Sequence, residues 1–272
     1  RLYGRAKGKP LRAGQQALID TLLPQIAVPA EGPVTAEALF GRDCPLHFEI
    51  GFGGGEHMAG RADMLPDHGF IGAEPFLNGV AQALVHVDGG RGSDGSATGM
   101  PIRNVRIHHG DALEVLPTLA SGLAGAVILD PPYSFESISV RGRDDGAAGT
   151  SGAPTMLLHQ TFVQTQRLLA DGGIAPVLHQ WRRSPDVSYL MCLAGLRLSA
   201  CVAWTRNRVG TGGLFRSSWD PILVGSKGSP TLRDKAAISN VLNVEPLSGE
   251  IHPYAKPPEL WGHFLQRIPA GV

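Results

Sequence analysis

The sequence predicts an α/β fold with a mostly parallel sheet that is closed by an antiparallel pair of strands. Three observations support this class. Short apolar runs alternate with helical patterns from residue 46 onward, a Gly-rich turn directly follows the first clear strand, and two β-rich runs at residues 197–204 and 221–226 are joined by a short basic loop. Alternation of strand and helix is typical of a parallel sheet with helices on both faces.

The predicted elements follow in a regular order. The patterns predict helices at residues 13–23, 55–65, 76–87, 155–170 and 185–194, and further strands at residues 46–50, 70–74, 105–108, 126–129 and 174–179. We expect residues 1–40 to form a basic arm and a helix, and residues 41–272 to form one domain with halves 41–129 and 130–272. Gly/Ser-rich residues 88–101 predict a surface insertion, and residues 141–154 a loop that gates substrate access.

Composition excludes several classes of protein. The formal net charge is zero, so a nucleic-acid partner cannot be inferred from global electrostatics. No apolar stretch approaches the ~18 residues that a membrane span needs, and the first residues do not resemble an export signal. Three cysteines without Cys-x-x-Cys spacing predict neither a disulfide framework nor a zinc site. We therefore expect a cytoplasmic protein that binds no metal.

The Gly-rich turn and three acids at successive strand ends predict a site for a nucleoside cofactor. Glycines in the turn let the backbone approach a ligand closely, and acids after the next strands provide acceptors for ribose hydroxyls and an adenine amino group. The predicted cofactor-binding residues are Glu49, Gly51, Phe52, Gly53, Gly55, Glu74, Pro75, Asp111 and Ala112. A nicotinamide dinucleotide fits this layout as well as S-adenosylmethionine, and a structural turn is the alternative for each acid alone.

A second motif, Asp130-Pro131-Pro132-Tyr133, follows the apolar run at residues 126–129 and predicts the chemistry. The lone pair of an exocyclic amino group is delocalised into the base, so its attack on a methyl group needs acceptors that hold its hydrogens. The Asp130 carboxylate and the Pro131 carbonyl are such acceptors, and Tyr133 is suited to stack on the base, which must be flipped out of a duplex. The alternative is a Pro-rich turn that ends a strand.

Basic residues near the second motif are candidates for nucleic-acid contacts. Arg206, Arg208 and Arg216 surround a Gly-rich loop that we predict to lie along a phosphate backbone, with a solvated loop as the alternative. Trp181 lies beside two arginines at a predicted strand end. It is a candidate for a substrate contact, although tryptophans most often belong to the core.

Residues 1–128 resemble the amino-terminal half of the bacterial tRNA (guanine-N7)-methyltransferases. The resemblance lies in RLYGRAKGK at residues 1–9, HFEIGFGGGEH at 47–57, GFIGAEPFLNGV at 69–80 and NVRIHHGDA at 104–112. It implies a Rossmann-like class I methyltransferase fold in which Glu49, Glu74 and Asp111 hold S-adenosylmethionine. The Pro-Asp-Pro-Trp-Pro-Lys segment that this family would place at residue 130 is not present.

Residues 130–268 instead resemble the amino-group DNA methyltransferases, which modify adenine N6 or cytosine N4. The resemblance lies in Asp-Pro-Pro-Tyr itself, LADGG at residues 169–173, SWDPILVGSKG at 218–228 and HPYAKPPEL at 252–260, which adds Lys256 to the predicted substrate-binding residues. The chain thus resembles a chimera in which the cofactor motif precedes the catalytic motif.

The sequence as a whole predicts an S-adenosylmethionine-dependent methyltransferase that acts on an exocyclic amino nitrogen, adenine N6 or cytosine N4. Asp-Pro-Pro-Tyr predicts that an exocyclic amino nitrogen is attacked. DNA is the preferred partner, because the half of the chain that carries this motif resembles the amino-group DNA methyltransferases. A tRNA (guanine-N7)-methyltransferase is the alternative, and a cofactor-binding fusion without catalysis is a second one.

Overall fold

The computed structural model describes residues 8–32, 34–89, 99–131, 152–206, 214–230, 232–233, 237–246 and 256–268. The chain divides into two compact units, unit 1 (Arg1–Ala120) and unit 2 (Ser121–Val272). Each unit has its own sheet and its own apolar core. The domain boundaries expected at residues 41 and 130 remain predictions. Within the described part of the chain, no helix is long and apolar enough to cross a membrane.

Unit 1 contains a parallel sheet. Its described strands are β1 (Leu46–Ile50), β2 (Gly69–Ala73) and β3 (Val105–His108), in that spatial order. The helices of this unit are α1 (Ala13–Thr21), α2 (Leu23–Ile26), α3 (Ala36–Phe40), α4 (Glu56–Met64), α5 (Leu77–Val87) and α6 (Ala112–Val115). The three strands confirm the predicted positions to within one residue.

The helix predicted at residues 13–23 is divided in two. Pro24 occupies the first turn of α2, where a backbone N–H would have no partner within the helix, so a proline is tolerated there. It therefore begins a second short helix instead of ending the first. Helix α5 is buried along one side, with Val80, Leu84 and Val87 at most 1% exposed. This apolar face packs into the core of unit 1 beside Phe52.

Unit 2 contains a mixed sheet. Its described strands are β4 (Ala124–Ala126), β5 (Leu169–Leu178), β6 (Arg197–Thr205), β7 (Trp219–Ser226) and β8 (Val241–Asn243), in the spatial order β4-β5-β7-β6-β8. Its helices are α7 (Gly152–Leu168), α8 (Ser184–Leu193) and α9 (Pro258–Leu265). Strand β7 runs antiparallel to β5 and β6, which confirms the predicted antiparallel pair. Strand β8 and helix α9 were not predicted.

Backbone pairing brings several chain segments to one end of this sheet. The strand expected at residues 126–129 ends earlier, at Ala126, but Leu129 bridges Val177 and accepts a hydrogen bond from the Leu178 amide at 2.9 Å. The His179 amide in turn donates to the Pro221 carbonyl at 3.2 Å. Asp130, His179 and Asp220 therefore lie at the same end of the unit 2 sheet.

Candidate functional site

The Gly-rich turn of unit 1 depends on left-handed backbone that side chains disfavour. Gly51, Gly53 and Gly55 have φ values of +69°, +58° and +77°. A Cβ atom at Gly51 or Gly53 would meet nothing within 4 Å, whereas one at Gly55 would lie 2.5 Å from the Ala83 Cβ. The first two glycines thus border open space beside the turn, and the third permits close packing of α5.

Glu74 fixes the position of this turn. Its side chain is buried, with 7% of the residue exposed, and its Oε2 accepts a hydrogen bond from the Gly53 amide at 2.9 Å. Its Oε1 accepts from the Phe76 amide at 2.8 Å. Helix α5 approaches the same turn so closely that a Cβ at Gly79 would lie 2.4 Å from the Gly53 carbonyl oxygen. Each Glu74 oxygen keeps a second lone pair that a ribose hydroxyl can use.

The other two acids predicted to hold the cofactor have partners within unit 1. Glu49 Oε2 lies 2.9 Å from His57 Nδ1, and this hydrogen bond raises the pKa of His57. Asp111 Oδ1 accepts from the Leu113 amide at 3.0 Å and caps helix α6. Asp111 therefore has a structural role as a helix cap, which agrees with the alternative of a structural turn. Its second oxygen has no hydrogen bond to the described residues.

Three further predicted cofactor residues differ in exposure. Phe52 and Ala112 are both less than a tenth exposed, and the Phe52 side chain belongs to the core of unit 1. Pro75 is half-buried beside Glu74. Only the backbone of Phe52 and Ala112 is thus suited to contact a ligand, and the assignment of all nine cofactor residues remains a prediction.

In unit 2, the predicted catalytic carboxylate is held by a lysine from near the carboxyl end of the sequence. Lys256 Nζ lies 2.8 Å from Asp130 Oδ2, and the two side chains are 13% and 32% exposed. Burial raises the pKa of Asp130, while the hydrogen bond and the charge of Lys256 act in the opposite direction. Lys256 was predicted to bind substrate, and this role remains a prediction beside its ion pair with Asp130.

A second carboxylate of the same sheet end, Asp220, was not predicted as a site residue. Arg206 Nη2 lies 3.3 Å from Asp220 Oδ2, and both side chains are largely buried. Burial raises the pKa of Asp220, which the charges of Arg206 and Lys256 oppose. The Arg206 predicted to follow a phosphate backbone is thus part of an internal ion pair. The sequence contains one signal that could have identified Asp220, since an acidic residue stands there at the start of an apolar run that predicts a strand.

His179 lies at the same sheet end, and its ring is held by hydrogen bonds within unit 2. It is 2% exposed, its Nε2 lies 2.9 Å from Ser184 Oγ, and its Nδ1 lies 3.0 Å from the Val177 carbonyl oxygen. Burial is the main effect on its pKa, which is lowered, so the ring is neutral at pH 7. No group of three metal-binding side chains occurs among the residues that the structure describes.

The remaining predicted residues of unit 2 are only partly described. Pro131 is half-buried beside Asp130, and Arg216 is exposed. Pro132, Tyr133 and Arg208 lie outside the described residues, as do residues 141–151 of the expected gating loop. The structure therefore brings Asp130 and Lys256 together, and the role of every predicted residue of unit 2 remains a prediction.

Comparison with known proteins places the resemblance in the first half of the chain. A family model described as "Putative methyltransferase" matches residues 43–126. The tRNA (guanine-N(7)-)-methyltransferase of Novosphingobium aromaticivorans is 77% identical over 122 residues, which are 45% of this chain and 49% of that enzyme. The enzyme of the same name from Sphingopyxis alaskensis is 72% identical over 132 residues, 48% of this chain and 54% of the relative.

The chain thus spans about half the length of these curated relatives. A putative DNA modification methylase from Thermus thermophilus is similar in structure, with a TM-score of 0.42 and 16% identity over 57% of this chain and 71% of that one. A structural likeness of this size carries no functional argument.

These findings confirm the methyltransferase character predicted for the amino-terminal part and its resemblance to the tRNA enzymes. A methyltransferase family model agrees with S-adenosylmethionine as the predicted cofactor. The predicted α/β class is confirmed by the parallel sheet of unit 1 and the mixed sheet of unit 2. For the target, the comparisons favour the tRNA alternative over the amino-group prediction, since the relatives that they name are tRNA (guanine-N(7)-)-methyltransferases.

Proposed function

We propose that this protein is an S-adenosylmethionine-dependent methyltransferase that modifies a base in a nucleic acid, with guanine N7 in tRNA as the first candidate target. The observation that carries the substrate class is the 77% identity to a tRNA (guanine-N(7)-)-methyltransferase over 122 residues. The residues of each unit support one part of the reaction, a donor site in unit 1 and a site for the acceptor base in unit 2.

The residues of unit 1 fit the methyl donor. The turn at Gly51 and Gly53 borders open space that a Cβ would narrow, and Glu74 holds the turn while keeping acceptor capacity. We propose that the turn lies along the donor, that Glu74 accepts hydrogen bonds from its ribose hydroxyls, and that the second oxygen of Asp111 accepts from its adenine amino group. When bound, S-adenosylmethionine supplies a methyl group on a positively charged sulfur.

The carboxylates of unit 2 support recognition of a base by its hydrogen-bond donors. Guanine offers N1–H and an exocyclic amino group on one edge, and carboxylate oxygens are the natural acceptors for both. Asp130 Oδ1 has no hydrogen-bond partner within the described residues, and Asp220 lies at the same sheet end. A guanine held in this way presents N7, which has an in-plane lone pair, on its opposite edge.

A second candidate is methylation of an exocyclic amino nitrogen of adenine or cytosine in DNA. The specific observation in its favour is the Asp130–Lys256 pair at 2.8 Å, because it fixes the carboxylate that must hold the amino hydrogens in the Asp-Pro-Pro-Tyr interpretation. In this candidate Asp130 Oδ1 accepts a hydrogen bond from one amino hydrogen, and the nitrogen becomes a better nucleophile as it turns tetrahedral and its lone pair is no longer delocalised into the ring.

One experiment separates the candidates. The full chain is incubated with methyl-labelled S-adenosylmethionine and either unmodified tRNA or plasmid DNA, and the nucleic acid is digested to nucleosides. We expect label in 7-methylguanosine from tRNA; label in N6-methyladenine or N4-methylcytosine from DNA would replace the first candidate with the second.

The variant Asp130→Asn tests whether turnover depends on this carboxylate, and Asp171→Asn is its control. Asp171 is an exposed carboxylate of the same unit, so its loss should leave turnover unchanged, whereas Asp130→Asn should abolish it and keep donor binding measurable by equilibrium dialysis. Donor binding without turnover on either nucleic acid would refute both candidates and leave the inactive cofactor-binding fusion.

A further inference from the structure

Two tryptophans of unit 2 have exposed indole rings. Trp181 is 52% exposed and Trp219 is 42% exposed, whereas Trp204 in the adjacent strand β6 is 3% exposed and hydrogen-bonded to the Val244 carbonyl. A side chain as large and apolar as an indole contributes most when it is buried, so exposure of two such rings in one region indicates a contact surface.

The backbone pairing places both tryptophans at the sheet end that carries the acceptor carboxylates. The ladder between β5 and β7 ends at the pair Leu178 and Ile222, and the His179 amide continues it by donating to the Pro221 carbonyl. Two residues further along each segment lie Trp181 and Trp219. Both indoles therefore occur at the sheet end that carries Asp220.

One cation lies against this surface as well. The Arg182 guanidinium is 5.1 Å from the centroid of the Trp181 ring, within the range of a cation–π contact. Exposed aromatic rings with an adjacent arginine are suited to unpaired bases, because every base has a π-face and its phosphate lies within reach of a cation. A base inside a duplex has both faces covered by its neighbours.

We propose that Trp181 and Trp219 form a stacking site for an unpaired base of the nucleic-acid substrate. This inference rests on the proposed function, since it assumes a nucleic-acid partner, but it adds a requirement that the methyl acceptor or a base next to it be unstacked. In tRNA such bases occur in loops, and in DNA they arise when a base is flipped out.

Tryptophan fluorescence tests the proposal without turnover. All four tryptophans of the chain lie in unit 2, and we expect a short single-stranded oligoadenylate to quench their emission while a blunt duplex of equal length does not. Trp181→Ala and Trp219→Ala should each weaken oligoadenylate binding about tenfold to a hundredfold. Trp181→Phe should retain most of the affinity, because a phenyl ring still stacks, and should lose part of the quenching.

Two controls distinguish stacking from a general surface effect and from charge. Tyr189, which is 66% exposed on α8, provides the first, and Tyr189→Ala should bind as the unaltered protein does. The second is salt: the loss caused by Trp181→Ala should be the same factor at low and high salt, since stacking involves no phosphate neutralisation. Unchanged affinity in both alanine variants, or equal binding of the duplex, would overturn the stacking site. Failure of methylation with intact quenching would instead overturn the proposed function alone.

Discussion

Replacing Lys256 with methionine removes the positive charge beside Asp130 and keeps a side chain of similar length. Lys256 Nζ lies 2.8 Å from Asp130 Oδ2, and the two residues are 126 positions apart in sequence. Asp130 then remains partly buried near the like charge of Asp220. We expect the variant to be less stable than the unaltered protein at neutral pH and equally stable in acid, where Asp130 is protonated.

The size of the effect follows from the exposure of the pair. Breaking a fully buried ion pair costs about 3–5 kcal/mol, and an exposed pair contributes about 0–1 kcal/mol. With Lys256 13% and Asp130 32% exposed, the pair lies between these limits. Loss of Lys256 should therefore lower the free energy of unfolding by ~1–2 kcal/mol.

The pH dependence has a definite sign. Burial raises the pKa of Asp130 above its unfolded value, so its ionisation destabilises the fold as pH rises from the ordinary to the raised pKa. Lys256 opposes this shift, and its removal raises the pKa of Asp130 further. The cost of Lys256→Met should thus be present at neutral pH and disappear at a pH below the ordinary aspartate pKa, where Asp130 is protonated in both states.

Urea unfolding followed by tryptophan fluorescence measures this effect in unit 2, which contains all four tryptophans. Lys256→Met, Asp130→Asn and the double variant complete a cycle with the unaltered protein. We expect Lys256→Met to cost much less in the Asp130→Asn background. An equal cost in both backgrounds, or a cost that does not change with pH, would show that Lys256 stabilises the fold by packing and would refute the reasoning.

Two further predictions concern the Gly-rich turn. Gly79→Ala would place a Cβ 2.4 Å from the Gly53 carbonyl oxygen, so we expect a loss of about 1–3 kcal/mol in stability and weaker binding of labelled S-adenosylmethionine in equilibrium dialysis. Gly60→Ala in helix α4 is its control, because a Cβ there meets nothing within 4 Å and should stabilise the helix by about 0.5–1 kcal/mol. Glu74→Gln removes one of the two acceptors for the Gly53 and Phe76 amides, and it should lower stability by about 1–3 kcal/mol and reduce donor affinity in the same assays.

Circular dichroism gives the thermal unfolding of these variants, since unit 1 contains no tryptophan. If Gly79→Ala were as stable and bound the donor as well as Gly60→Ala, the close approach of α5 to the turn would have no functional role. A Glu74→Gln variant that lost stability but kept full donor affinity would contradict the ribose contact and leave Glu74 as a brace for the turn.

Much of unit 1 could be predicted because its signals are local. Strands β1 to β3 are apolar runs bounded by turn residues, and the positive φ values of Gly51, Gly53 and Gly55 explain the glycines at those positions. The division of the first helix at Pro24 was missed because proline both ends and begins helices. Whether one helix or two form around Pro24 depends on tertiary packing, and the spacing of apolar residues does not reveal that packing.

Unit 2 could be predicted less well because its pairings connect distant segments. Strand β8 has three residues, and helix α9 begins at Pro258 within a segment that was interpreted only as a motif. The early end of β4 at Ala126 reflects an irregular register with β5, which no alternation pattern reveals. The position of a short edge strand and the register of an irregular pair depend on the strands packed beside them, which can lie far away in the sequence.

The site showed the same limit. Sequence singled out Asp130 and Lys256 separately, one as catalytic and one as substrate-binding, but no spacing rule relates residues so far apart in the chain. It assigned Arg206 to a phosphate contact and missed Asp220, its partner at 3.3 Å. A charged residue next to a glycine-rich loop has the same pattern whether it faces solvent or an internal carboxylate.

In the proposed function, the two ion pairs of unit 2 determine which charge a bound substrate base needs to carry. Asp130 with Lys256, and Asp220 with Arg206, balance charge within unit 2, so a neutral base need not displace a counter-ion to be bound. The acceptor capacity left at Asp130 Oδ1 is then available for N–H donors, and a carboxylate that stays ionised accepts them better than a protonated one. In the proposed function, Lys256 therefore contributes to recognition through Asp130, because its charge favours the ionised form of Asp130 against the effect of burial. This role differs from the direct substrate contact predicted for it and applies equally to guanine and to an exocyclic amino group.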